Sequence, residues 1–241
     1  MTKIIHRAGS RGKAEHGWLH SFHTFSFAGY HDPERMGFGT LRVLNDDVVQ
    51  AGKGFDTHPH DNMEIVSIPL AGALRHKDSL GNVHVIRTGE VQVMSAGTGI
   101  THSEYNDSDD EPVNFLQIWI LPKERNIEPH YGQAMFDLAN RRNRFQLVVS
   151  PDGRDQSLAI NQDTFFSLAH IVNGKTAHYA QYAKGNGTYL FVLEGQVEVA
   201  GEQLNKRDAL GLWDNRSMDI RATEDAQLLC IEVARNPTNQ A

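Results

Sequence analysis

Apolar and polar residues alternate along this chain in short bursts rather than in helical stripes. Branched and aromatic residues crowd positions 40–44, 64–68, 84–87, 91–94 and 115–120, with glycine or Asn-Asp pairs punctuating the intervals. Short runs of this kind bounded by turn residues predict strands. Only residues 133–144 carry a pattern suited to a helix. Many short strands spaced by about ten residues predict an all-β architecture, a sandwich or antiparallel barrel around a packed interior or a small ligand.

The second half echoes the first. Ile68-Pro69-Leu70-Ala71-Gly72-Ala73-Leu74 aligns with Phe191-Val192-Leu193-Glu194-Gly195-Gln196-Val197, and Gly89-Glu90-Val91 with Arg207-Asp208-Ala209. Phe115-Leu116-Gln117-Ile118-Trp119 then aligns with Leu228-Leu229-Cys230-Ile231-Glu232, in the same order. Such repetition predicts two related barrels. The connection around residues 126–144, about 15–20 residues long, exceeds what a compact domain normally needs and fits an interdomain segment. The expected division is residues 1–130 for the first barrel and residues 131–241 for the linker and second barrel, the latter resuming near Phe145.

Composition supports a folded chain and narrows its partners. Of the 241 residues 39% are hydrophobic and 22% charged, with only 8 prolines, enough apolar material for a sizeable core. The formal charge of −7 gives a field that repels phosphate backbones, so nucleic acid is not an expected partner. No run approaches the roughly 20 apolar residues of a membrane-spanning helix. Met1-Thr2-Lys3-Ile4-Ile5-His6-Arg7 lacks the apolar segment of a signal peptide, so a cytoplasmic location without membrane attachment is expected. The single cysteine, Cys230, sits in an apolar run, which excludes an internal disulfide or a cysteine cage and predicts a buried, inert thiol. The unusual count is 13 histidines, since imidazole is the commonest metal ligand.

Two pairs of candidate ligands stand out. His58-Pro59-His60 places two imidazoles at i and i+2, which on an extended backbone share a face. A lone pair of this kind is commonly a surface feature, but a second pair, His102 and Glu104, follows a glycine-rich turn at residues 95–101. Three nitrogens and one carboxylate leave positions open for water, substrate or dioxygen, suiting Fe(II), Mn(II), Ni(II), Cu(II) or catalytic Zn(II) rather than a closed structural site. Glu64 competes as the carboxylate; Glu104 is preferred, with Glu64 expected to accept the spare N–H of a ligand imidazole.

The remaining histidines read as structural. His20 and His23 lie in an aromatic segment expected to cover the barrel, and His76, His84 and His130 are isolated. Aligning Gly195 on Gly72 puts Gln181, Ala183 and Gly187 where His58, His60 and Glu64 stand, while residues 213–220 contain neither histidine nor glutamate. The second site is therefore expected to be degenerate, with His170 and His178 as core or surface residues. The acidic cluster at residues 107–111 is expected to be a solvated loop.

These segments carry a family resemblance. Residues 52–72 and 89–106 resemble the two cupin motifs, with Gly72 one residue late, two extra residues before His102 and Ser95 in place of the usual proline. Together with His16-Gly17-Trp18-Leu19-His20-Ser21-Phe22-His23-Thr24-Phe25-Ser26-Phe27 and Met94-Ser95-Ala96-Gly97-Thr98-Gly99-Ile100-Thr101-His102-Ser103-Glu104, they resemble the pirin family over nearly the whole chain. The likeness is greatest to the bacterial pirin-like quercetin 2,3-dioxygenases. The resemblance implies a bicupin with one divalent transition metal in the N-terminal barrel, Fe(II) foremost, with Mn, Ni, Cu, Co and Zn also compatible. Its ligands fall on His58, His60, His102 and Glu104. The implied activity is opening of the heterocyclic ring of a flavonol such as quercetin by O2, releasing carbon monoxide, with Glu104 as the catalytic base. Phe55, Met63, Met94 and Phe115 are the expected apolar wall. The resemblance also implies an alternative, a metal-dependent or redox-sensing regulator that binds other proteins; an open pocket beside the metal separates the first reading from the second.

Overall fold

The computed structural model describes residues 2–235. These residues form twenty-two strands and three short 3-10 helices, so the all-β expectation holds. No helix among them is long and apolar enough to cross a membrane. The expected strands appear as Leu41–Val49, Glu64–Ala71, Val83–Arg87, Glu90–Ser95 and Val113–Ile120.

The strands build two large and two small sheets. The first large sheet runs His130–Met135, Glu90–Ser95, Glu64–Ala71, Val113–Ile120, Leu41–Val49, Leu19–His23 and Gly12–Glu15. Its small companion runs Gly54–His60, Ile100–Asn106, Ala73–Asp78 and Val83–Arg87. The second large sheet runs Thr2–His6, Ala209–Trp213, Gly187–Glu194, Ala226–Val233, Phe165–Ile171, Phe145–Ser150 and Leu158–Ala159. Its companion runs Thr176–Ala180, Ser217–Ala222, Gln196–Val199 and Glu202–Asn205. The sheet orders repeat, and so do local details. Gly72 and Gly195 turn the equivalent hairpins at φ 78° and 76°. At Gly195 an added Cβ would run into the Asp225 carbonyl, so glycine is required twice over there.

The helix expected over residues 133–144 does not form. His130–Met135 is a strand paired with Glu90–Ser95, and the helical remainder is one 3-10 turn, Leu138–Arg141, capped by Asp137 accepting from the Ala139 N–H. An open sheet edge satisfies every second backbone group of this segment, which outweighs its helix propensity. The same device operates at the other end, where Thr2–His6 pairs with Ala209–Trp213 in the second large sheet. Each half thus receives an edge strand from beyond its own repeat.

Strand alternation then sorts the side chains into layers. Val66, Ile68, Leu116 and Ile118 from the first large sheet meet Phe166, Leu168, Phe191 and Leu229 from the second, forming a core between the halves. The buried pair Asp46 and Asp47 splits the same way. Asp46 faces the second half, accepting from Arg207 Nε at 2.8 Å and Arg11 Nη1 at 3.4 Å, while Asp47 faces the interior of the first.

Candidate metal centre and its pocket

The strand Gly54–His60 lies beside Ile100–Asn106 with His58 directly opposite His102. Alternation brings His60 to the same face, and the three rings converge with centroids 4.5 to 4.8 Å apart. Their ligand nitrogens all lie within 4.8 Å of one another. His58 Nδ1 donates to the Asp56 carbonyl at 2.7 Å, which leaves Nε2 as the lone-pair nitrogen. His60 Nε2 and both nitrogens of His102 are buried without a hydrogen-bond partner. Burial, reinforced by neighbouring His58, depresses His60 to a pKa of about 4 and His102 to about 2. His60 and His102 are therefore neutral at pH 7, the state a metal requires. Unpaired buried nitrogens aimed at one point are costly unless something binds there, so this donor set fits a divalent ion.

Glu104 lies beside the trio rather than inside it. A register shift between His102 and Glu104 offsets the strand, and the carboxylate groups with His102 and His76, ligand atoms within 4.8 Å. It is fully buried and accepts from Gln117 Nε2 at 2.8 Å and Ser67 Oγ at 3.3 Å. Burial raises its pKa to about 7 against the pull of those two bonds. A carboxyl so poised can gain or give up a proton near neutrality.

Several expectations need correction. Glu64 does not support a ligand imidazole: it sits on the opposite face of its strand, accepting from Ser95 Oγ at 2.5 Å and the Asn161 N–H at 3.1 Å. His76 is not isolated. Its Nε2 donates to Asp78 at 2.9 Å, Gln92 Nε2 contacts its Nδ1 at 3.3 Å, and its ring lies 5.3 Å from that of His102. The i, i+2 pair His76-Lys77-Asp78 was the available signal. Of the expected apolar wall only Phe55 lines the cavity; Met63 and Met94 pack with Ile65 and Ile100, and Phe115 packs with Val49 and Leu74.

The cavity itself encloses about 560 Å³. Its aromatic walls are Trp18, Phe27, Phe55 and Trp119, and Trp119 stands edge-on to His60 at 5.1 Å. His23, assigned to the covering segment, is buried and lines it together with Asn45 and Asp47. His23 and Asn45 belong to a line of polar residues, one per strand, crossing the inner face of the large sheet: His23, Asn45, Gln117, Ser67 and Gln92 in mutual register.

In the second half the strand pairing puts Tyr179 opposite Met218, as His58 stands opposite His102, and Ile220 in the place of Glu104. Tyr179 is two residues before Gln181, because the connecting loop differs in length. Both three-membered ligand groups among the described residues lie in the first half.

Comparison with known proteins matches the two halves separately. A family model described as Pirin matches residues 5–120, and one described as the quercetinase C-terminal cupin domain matches residues 147–233. A protein of Escherichia coli (strain K12) named quercetin 2,3-dioxygenase is 45% identical over 230 residues, covering 95% of this chain and 97% of that one. The chain belongs to the pirin family. Among solved structures, the bacterial pirin YhhW of Escherichia coli in complex with nickel(II) matches with a TM-score of 0.91 and 43% identity, over 97% of this chain and 100% of that chain. A quercetin 2,3-dioxygenase from Acinetobacter baumannii shares the fold at a TM-score of 0.71 and 20% identity, over 98% of this chain and 86% of that chain. The pirin fold therefore accounts for both halves, with two cupin-type domains and a histidine cluster suited to a metal in the first.

Proposed function

We propose that this pirin is a metal-dependent dioxygenase of the quercetinase type, acting on a flavonol such as quercetin with O2 and releasing carbon monoxide and a depside. On this reading each half is a cupin barrel, and the second has lost its site. The observation that carries the proposal is the converging trio His58, His60 and His102, with buried unpaired nitrogens on His60 and His102 and with His58 and His60 on the wall of an aromatic cavity of flavonol size. An open cavity there supports an enzyme over a purely regulatory protein.

His58, His60 and His102 would hold the ion with Glu104 as the fourth ligand; Fe(II) is the leading candidate, and Mn, Ni, Cu, Co and Zn suit the same donors. Bound there, the ion supplies Lewis acidity that favours the ionised 3-hydroxyl of the flavonol. Glu104 receives that hydroxyl proton as general base, its two oxygens kept in place by Gln117 and Ser67. Trp18, Phe27, Phe55 and Trp119 clamp the flat ring system and exclude water from it.

Anaerobic reconstitution with each metal, followed by quercetin and O2, tests the reading. Metal-dependent loss of quercetin with stoichiometric carbon monoxide, absent in His58→Ala, is the expected result. Tight binding of one ion with no turnover under any metal would overturn it.

A further inference from the structure

The cavity holds more polar chemistry than the metal trio uses. His23, Asn45 and Asp47 are each at most 2% exposed, and His23 Nδ1, Asn45 Oδ1 and Asp47 Oδ1 have no hydrogen-bond partner. All three side chains line the cavity. They are adjacent by construction, because His23 pairs with Asn45 across neighbouring strands and Asp47 follows Asn45 at i+2 on the same face. Buried polar atoms left unpaired are rare and costly, and a cluster of three around one cavity marks a place where a ligand completes the hydrogen bonds.

The chemistry of the cluster selects the ligand. The amide oxygen of Asn45 only accepts, and the Asp47 carboxyl keeps an acceptor oxygen in either protonation state, so a ligand that donates satisfies both. The cavity lining contains two aspartates, Asp47 and Asp56, and no lysine or arginine, which disfavours a carboxylate or phosphate. A neutral aromatic ring bearing hydroxyl groups meets both conditions, its faces against the aromatic walls and its O–H groups toward the acceptors.

We propose that His23, Asn45 and Asp47 are specificity-determining residues that recognise the hydroxyl groups on the pendant aryl ring of the substrate, away from the ring edge presented to the histidine trio. The identity of the ligand rests on the flavonol reading above; the location of the wall does not. Asp47 and Asn45 act through hydrogen bonds made only when hydroxyls are present, so they discriminate between ligands of the same skeleton. A site built to bond a hydroxyl leaves its own groups unpaired when an analogue lacks it, and the analogue is rejected accordingly.

The test is anaerobic calorimetric titration of the metal-loaded protein with quercetin, kaempferol and galangin, which carry two, one and no hydroxyls on the pendant ring. Wild type should bind them in that order, spanning about tenfold or more in affinity. Asn45→Leu, of similar volume, should compress the span to about twofold with metal content unchanged. If that variant does not fold, His23→Phe carries the same expectation. A folded variant with the wild-type span overturns the recognition wall and leaves the dioxygenase reading intact. No binding of any flavonol to wild type sinks the flavonol reading and this assignment with it.

Discussion

The two halves of this pirin share a sheet order and differ in what their inward faces display, most plainly along one cross-strand line. Across the first large sheet, neighbouring strands present His23, Asn45, Gln117, Ser67 and Gln92 to the interior. The corresponding line in the second is Leu147, Ser167, Cys230, Leu190 and Leu210. The second interior closes as one cluster of seventeen buried residues, whereas the first breaks into clusters of six and four on either side of the histidines and cavity. One backbone thus serves as packed core or as the wall of an open cavity according to what its inward-facing positions display. The apolar burial that the first half forgoes, about 1.5–3 kcal/mol per large side chain, is offset by the core that it shares with the second.

Substitutions can break this contrast to different degrees. The largest effect should come from His102→Ala, which removes the most buried imidazole of the trio. Metal affinity should fall about 1000-fold or more, beyond the roughly 10–100-fold that partners of ligands contribute, as read by competition with a chelator. Elemental analysis should find one ion per wild-type chain.

Asp47 sharpens the contrast through pH. Burial raises its carboxyl to a pKa of about 7 in the folded state, above the ordinary value near 3.8. The native protein therefore holds a proton that the unfolded chain releases, so this group costs nothing below pH 4. Its penalty grows as pH rises and levels off above about 7. Asp47→Asn should gain roughly 2–4 kcal/mol on wild type between pH 4.5 and 7.5 in urea unfolding of the metal-free protein. An equal difference at both pH values would contradict the raised pKa.

Gln117→Leu makes the first row resemble the second at the position of Cys230. It strips Glu104 of its shorter hydrogen bond and should cost about 1–3 kcal/mol of stability. Metal affinity should fall about 10-fold or more with it. The smallest effect belongs to the second half. Cys230→Ala opens a small cavity in a fully buried site, costing about 1 kcal/mol, and should leave metal stoichiometry and turnover unchanged.

Strands, the repeat and the spacing of the converging imidazoles His58, His60 and His102 were legible because each is a pattern within one segment. The polar row was not, since its members lie one to a strand and meet only through register. His23 therefore looked like part of a covering segment and Gln117 like any polar residue of a strand. His76 was missed although Asp78 stands two residues away, because its importance comes from the neighbouring Gln92 and His102. Glu64 was misplaced through uncertain parity across Pro59-His60-Asp61-Asn62, where Asn62 adopts a positive φ of 47° and resets the alternation. The helix expected at residues 133–144 gave way to a sheet edge that no local pattern announces.

The traded edge strands have a consequence for how the chain comes apart. Residues 2–6 close the second sheet, and residues 130–135 close the first. Melting either half strips a bordering strand from the other and opens a row of unpaired amides to foreign partners. The repeats are therefore interlocked like clasped hands: their sheet order is repeated, but their unfolding should be a single shared event. A cut in the loop between residues 121 and 129 would leave neither fragment with a complete sheet.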